Sequence, residues 1–355
     1  MKLGISLGYF SSAREISEAI ELTQAAEALG YDVAWVAEAY GTDSPTVLSA
    51  IASRTSTIGI GAGIMQIPAR SAAMTAMTAA TLDAISGGRM RLGLGVSGPQ
   101  VSEGWHGVYY ADPLGRTAEY VAIVKQVLTR QRVEVSGTHF TLPLPGLDGK
   151  PAQGKPLSLA MKPVRTDIPI YLAAVGPKNL ELTGRICDGW LAIFFDPELG
   201  AANVRTIAEA AVAAGRDPNA IDYSASVGVA VGPDQEGAAA ALRPNAALYI
   251  GGMGSKATNF YHRIASSMGF EAEADEVQRL FLSKDYAGAA RAVPLEFLTR
   301  TSLVGTLDDI AAGLKRLHDV GITSVNVAAS GHSLADRIDI LETTMHAATK
   351  AGVLA

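Results

Sequence analysis

Few of the ionisable and nucleophilic residues in this 355-residue chain are spaced to do chemistry unaided. Its six histidines, His106, His139, His262, His318, His332 and His346, show neither H-x-H nor H-E-x-x-H spacing. Cys187 is the single cysteine, so no metal site is expected. Ser6 in GISLG has the letters of a nucleophile elbow, but it sits inside an apolar run and not on a turn into a helix. That argues against a hydrolase. Three other places hold more. In AAVGPKN (Ala173 to Asn179) a small-residue run turns through Gly176 and Pro177 into a helix start. The free N–H groups of such a start, with Lys178 beside them, suit a phosphate. A plain strand–helix turn with proline at the first helical position has the same letters. SGPQVSEGWHG (Ser97 to Gly107) brings Trp105 and His106 near Tyr109 and Tyr110, a set that could wall a planar ligand or handle a proton. Equally, Trp105 could fill core and His106 could stand in solvent. Glu38 ends a strand-like run, where a carboxylate serves as acid or anchor, or caps the next turn.

The elements that must position these residues repeat one phrase: a short apolar run, a loop, then an amphipathic helix. KLGISL, YDVAWVAEA, TIGIGAGIM and GGRMRLGLGV read as the first four strands. DIPIYLAAVG, DGWLAIF, YSASVGVAV and ITSVNVAA read as the second four. Strands apolar on both faces belong to a parallel sheet covered by helices, and eight such units close a (β/α)8 TIM barrel. A barrel needs about 250 residues. The excess falls in two insertions, about 133–167 and 232–302, within one domain spanning 1–355. A doubly wound sheet is the alternative, but no G-x-G-x-x-G follows the first strand. GLGVSG (Gly93 to Gly98) has those letters after the fourth strand, with no helix expected directly behind it. In a barrel, reacting groups lie at the C-terminal strand ends, which selects the loops holding Glu38, Ser97 to Tyr110 and Gly176.

Bulk composition narrows the function classes. With 48% apolar and 18% charged residues and a net charge of −6, the chain has no basic stripe for nucleic acid. The beginning shows no signal-like segment and no run reaches the length of a membrane span. One cysteine suits a reducing compartment, so a cytoplasmic protein is expected.

LGYDVAWVAE, SGGRMRLGLGVSGPQVSEGWHG, AAVGPKNLELTGRICDGWLA and VGTLDDIAAGLKRLHDVGITSVNV together resemble the luciferase-like oxidoreductase superfamily. They are most similar to its deazaflavin branch, which uses coenzyme F420 and includes methylenetetrahydromethanopterin reductase and F420-dependent glucose-6-phosphate dehydrogenase. The resemblance implies a redox ring lying across the C-terminal ends of the barrel strands. It places Ala174, Val175, Gly176, Pro177, Lys178 and Asn179 at the cofactor phosphate, and Ser97 and Gly98 beside the ring and its side chain. It also implies a bulge with a non-prolyl cis peptide at Gly63–Ile64, where Ile64 and Met65 would back the ring. Two positions depart from the family pattern. The first acid after the fourth-strand glycines is Glu103, and Glu38-Ala39 replaces an Asp-His pair, so Glu38, Glu103, His106 and Tyr109 are the candidate proton donors. The implied activity is hydride transfer between F420 and a small organic substrate, in a homodimer. An FMN-dependent monooxygenase and a non-catalytic flavin-binding barrel are the alternatives.

Overall fold

In the computed structural model, which describes residues 1–254 and 259–355, the near-unbroken apolar runs become strands buried on both faces. Residues 255–258 of the second expected insertion lie outside the described residues. The first half alternates strictly: β1 (Lys2–Ser6), α1 (Ala13–Ala28), β2 (Val33–Val36), α2 (Ser44–Ala52), β3 (Gly59–Gln66), α3 (Ala72–Ile85) and β4 (Met90–Gly95). A short helix, α4 (Pro99–Gly104), then opens directly after Gly98, contrary to the expectation of a helix-free loop. Helix α5 (Pro113–Leu128) leads into the first insertion, whose hairpin pairs β5 (Val135–Ser136) with β6 (Thr141–Leu142).

The second half continues with β7 (Ile170–Leu172), α6 (Pro177–Ile186), β8 (Gly189–Ile193), α7 (Pro197–Ala213) and β9 (Asp222–Val231). Six helices follow in the second insertion: α8 (Gln235–Ala239), α9 (Arg243–Gly252), α10 (Phe260–Ser267), α11 (Glu271–Leu282), α12 (Tyr286–Ala292) and α13 (Leu295–Thr301). The chain finishes with β10 (Leu303–Gly305), α14 (Leu307–Asp319), β11 (Ser324–Ala329) and α15 (Leu334–Ala351). Among the described residues, no helix is long and apolar enough to cross a membrane.

Strands β1, β2, β3, β4, β7, β8, β9 and β11 pair in parallel around a closed ring, with β11 returning to β1. This is the (β/α)8 barrel read from the sequence. β10 was not anticipated. It is three residues long and pairs with the overhang of β9 in the register Leu303↔Val229 to Gly305↔Val231. Its shortness explains the omission, since three residues carry no periodicity.

The alternate glycines of β3 have a steric cause. A Cβ on Gly61 would lie 2.4 Å from the Trp35 ring, and one on Gly189 would lie 2.1 Å from the Tyr171 ring. Trp35 and Tyr171 meet edge to face inside the barrel, with ring centroids 5.0 Å apart. Two large rings fill the barrel only because the strands beside them present no side chain. Below the rings, Arg91 pairs with Asp32 at 2.7 Å, and Tyr171 Oη donates to Asp222 at 2.9 Å. This polar layer lies at the N-terminal end of the strands, so the opposite end is free to be a site.

Candidate active site at the barrel mouth

Side chains on a strand alternate between the two faces, and here the outward set packs under the helices. Ile5, Ala62, Leu172, Ala192, Val227 and Val327 are all buried. Their neighbours at the C-terminal ends, Ser6, Gly63, Ala173, Ile193, Ser226 and Ala328, are half-exposed. They are small, apart from Ile193, and none carries a charge, so they leave a shallow bowl over Trp35. A flat apolar ring can settle on such a floor, whereas a charged group would lose its hydration there.

One rim of the bowl is the end of β3. The Gly63–Ile64 peptide is cis, and the β3–β4 register shifts between Ala62 and Met65. Ile64 is half-exposed and covers Gly95, where an added Cβ would stand 2.7 Å from Ile64 Cδ1. Met65 does not share this position. It is 1% exposed within the core between barrel and helices, so its side chain cannot face a ring at the mouth. The bulge changes which face each residue presents, and the letters alone do not reveal that shift.

Behind this rim runs a polar network. Arg70 donates to both carboxylate oxygens of Glu38, at 2.6 and 3.0 Å. Glu38 also accepts from the Ser44 backbone N–H at 3.0 Å, which ties it to the start of α2. It is 7% exposed. Burial pulls the Arg70 guanidinium down, but its hydrogen bonds and charge pairing with Glu38 outweigh that and hold it above its ordinary value. Glu38 is therefore an anchor with its oxygens occupied, not an acid open to the bowl.

His106 Nε2–H donates to Gln66 Oε1 at 2.9 Å, and Gln66 Nε2 donates to Ser97 Oγ at 2.9 Å. Ser97 has φ of 59°, a left-handed conformation unusual for serine, and this chain of bonds fixes its hydroxyl. His106 is half-buried and bonded, while Trp105 is 65% exposed and fills no core. Tyr109 is also exposed, and Glu103 accepts from the Tyr110 backbone N–H at 2.9 Å.

Past the end of β4, the rim continues at the start of α6. Val175, Gly176, Pro177 and Lys178 are exposed, and Ala174 is buried behind them, its carbonyl accepting from Trp190 Nε1 at 2.8 Å. Asn179 Oδ1 is buried with no hydrogen-bond partner among the described residues. A Cβ on Gly176 would meet nothing within 4 Å. Ala174 to Pro177 line a cavity of about 540 Å3 that Arg263 of α10 closes from the insertion side. A helix N-terminus with unfilled space before it and Arg263 across the gap suit an anion, with Lys178 on the first turn outside the lining and Asp196, also on the wall, already paired with Arg300. The cofactor implied by the sequence carries a phosphate, and these residues fit one.

The structure thus gathers Gly63, Ile64, Ser97, Gly98 and the 174–179 turn around one mouth. It brings Glu38 and His106 to the rear of the same rim. Sequence reasoning missed Gln66, Arg70 and Arg263. Gln66 directly follows the quoted glycine run, and a buried amide there was a readable signal. Arg70 gave none, because its partner Glu38 is distant in the chain, and Arg263 gave none, because it reaches the cavity only through the placement of α10.

The model of the luciferase-like monooxygenase family matches residues 1–324. The chain is 41% identical over 332 residues to a Mycobacterium tuberculosis protein named "Putative coenzyme F420-dependent oxidoreductase", covering 93% of this chain and 95% of that one. It is 30% identical over 303 residues to 5,10-methylenetetrahydromethanopterin reductase of Methanolobus tindarius, covering 84% and 86% respectively. The solved coenzyme F420-dependent tetrahydromethanopterin reductase of Methanopyrus kandleri superimposes with a TM-score of 0.79, at 25% identity and 96% coverage of both chains.

Proposed function

Because this chain belongs to the luciferase-like monooxygenase family, we propose that it is an oxidoreductase that uses coenzyme F420 to reduce or oxidise a small organic substrate at the barrel mouth. The observation that carries the cofactor is the anion site before α6, opening onto a bowl without charged groups. F420 dependence in the name of the 41% identical relative supports the same reading. When bound, the deazaflavin supplies hydride chemistry that no side chain here could perform.

The chain's own residues do the rest. The α6 N-terminus, Lys178 and Asn179 would hold the phosphate, and Arg263 would cover it. Ile64, Ser97 and Gly98 would border the ring, with the Ser97 hydroxyl fixed through Gln66 and His106. Glu38 acts as a positioning residue, because its carboxylate oxygens are already paired, and His106 acts as one through Nε2, which holds Gln66. The small residues of the floor hold the ring flat and exclude water beneath it, which orients the reacting partners.

Titration of the purified chain with F420 and with FMN, followed by absorbance, tests the assignment. F420 should bind and FMN should bind far more weakly; the reverse order would sink the cofactor reading. Lys178→Ala should weaken F420 binding roughly 3- to 10-fold, as expected for losing one charge-assisted contact. An unchanged affinity would remove Lys178 from the phosphate site.

The same reading includes a homodimer. Helix α3 is apolar on nearly every face, and Met74, Met77 and Ile85 lie on its outer stripe at 51%, 49% and 47% exposure. A second copy of that stripe is the self-complementary cover for it. A cytoplasmic location fits the single cysteine, whose thiol is buried and pushed up to about 12 by burial. Cell fractionation would check the location.

A further inference from the structure

An aromatic ridge divides the mouth into two compartments. Phe194, just beyond β8, meets Tyr249 of α9 and Tyr261 of α10 edge to face, with centroids 5.5 and 6.1 Å apart. Tyr249 Oη then donates to Tyr9 Oη across 3.4 Å, carrying the ridge to the loop after β1. One side of the ridge is the anion site. The other is a cavity of about 690 Å3 between α9 and the loops that follow β1 and β2.

The walls of this second compartment are chemically one-sided. Ile16, Tyr40, Leu248 and Met253 line it, and among the described residues no Asp, Glu, Lys, Arg or His does. Its polar side chains are hydroxyls, and two of the five are already occupied. Ser11 Oγ donates to Glu15 at 2.6 Å, and Ser12 Oγ accepts from the Glu15 backbone N–H at 3.3 Å. Three hydroxyls remain, of which that of Tyr40, a residue 58% exposed, can stay in water. Thr42 Oγ1 is buried and has no partner among the described residues. Tyr9 accepts the Tyr249 proton, which leaves its own O–H to donate elsewhere.

We propose that this cavity is the substrate compartment, and that it takes an uncharged, largely apolar molecule whose one carbonyl or hydroxyl oxygen is held by Tyr9 and Thr42. The assignment of the occupant as substrate rests on the oxidoreductase reading above; the binding preference follows from the walls alone. Apolar rings gain by leaving water for such a surface. A carboxylate or phosphate would lose its hydration and find no cation among the described residues in return. Burial raises the Tyr9 phenol above its ordinary value, so it stays protonated, and able to donate, through neutral pH.

Calorimetric titration of the full chain with 2-acetylnaphthalene, 2-ethylnaphthalene and 2-naphthoate, with and without F420, tests this. The ketone should bind at least roughly tenfold more tightly than the isosteric carboxylate. Tyr9→Phe should weaken the ketone roughly fivefold and leave 2-ethylnaphthalene unchanged. Thr42→Val should also weaken the ketone, yet leave the free chain as stable or more so, because it removes an unpaired buried hydroxyl. Comparable binding of the carboxylate, or ketone affinity untouched by both substitutions, would overturn the compartment. F420 binding with no ketone binding would overturn the compartment alone. Ketone binding with no F420 binding would overturn the cofactor reading and leave the compartment standing.

Discussion

A methyl group at Gly61 would have to occupy space that the Trp35 indole already fills, since the nearest ring atom stands 2.4 Å from the position of its Cβ. Gly61→Ala is therefore expected to destabilise the chain by about 1–3 kcal/mol through overpacking. Gly98→Ala meets nothing within 4 Å at a negative φ and should be close to neutral. Urea unfolding of the two variants checks the contrast, and equal midpoints would refute the steric account. The need for glycine along β3 was legible in the sequence, because three in five positions demanded a reason. That the reason was an indole on the neighbouring strand was not, since cross-strand contacts leave no mark on one strand's letters. Met65 shows the same limit, because the register shift at the bulge sends its side chain into the core.

Elements at this mouth are tied together by side chains more than by their own caps. Glu38 links the end of β2 to α2 through Ser44 and to the segment after β3 through Arg70. Removing the arginine leaves a buried carboxylate without its cation. Arg70→Met should cost about 3 kcal/mol, with Glu38→Gln added to it recovering part of the loss. A double-mutant cycle by chemical denaturation measures the coupling, and purely additive costs would show the pair to be incidental. Glu38 was picked out in the sequence by its place at a strand end, and that place holds. Its role did not follow, because an ion pair across 32 residues is invisible until the loops are folded. The helix opening at Pro99 was hidden for a different reason: six residues are too few to show a helical period.

At the scale of the whole molecule, the barrel itself was the most legible feature. Eight apolar runs separated by amphipathic helices have few other ways to bury both faces of every strand. The two insertions were legible as surplus length, one with the hairpin-like VEVSGTHFTL and one Ala-rich and helical, but the cavities they complete depend on tertiary placement of α9 and α10. The outer face of α3 is a matter for the assembled molecule. Met77→Glu on that face should shift the particle from twice the chain mass to the chain mass in light scattering, with unfolding midpoints little changed. A dimer that survives the substitution would place the interface elsewhere.

The short β10 has a consequence for how the fold can diversify. The Gly232 backbone N–H donates to the Gly305 carbonyl at 2.9 Å, so the second insertion leaves the barrel and rejoins it at one hydrogen-bonded gate. Between these points its helices bury a cluster around Ala246, Ile250, Val277 and Phe297, distinct from the main core and seated on Phe194, Ala230 and Val304 of the barrel. A segment with adjacent ends and most of its interior within itself behaves as a cassette. Exchanging 233–302 for the corresponding stretch of a relative should change which ligands bind beside Tyr9 and, with Arg263 and its neighbours replaced, F420 affinity as well. Evolution could then retune both compartments by altering one segment.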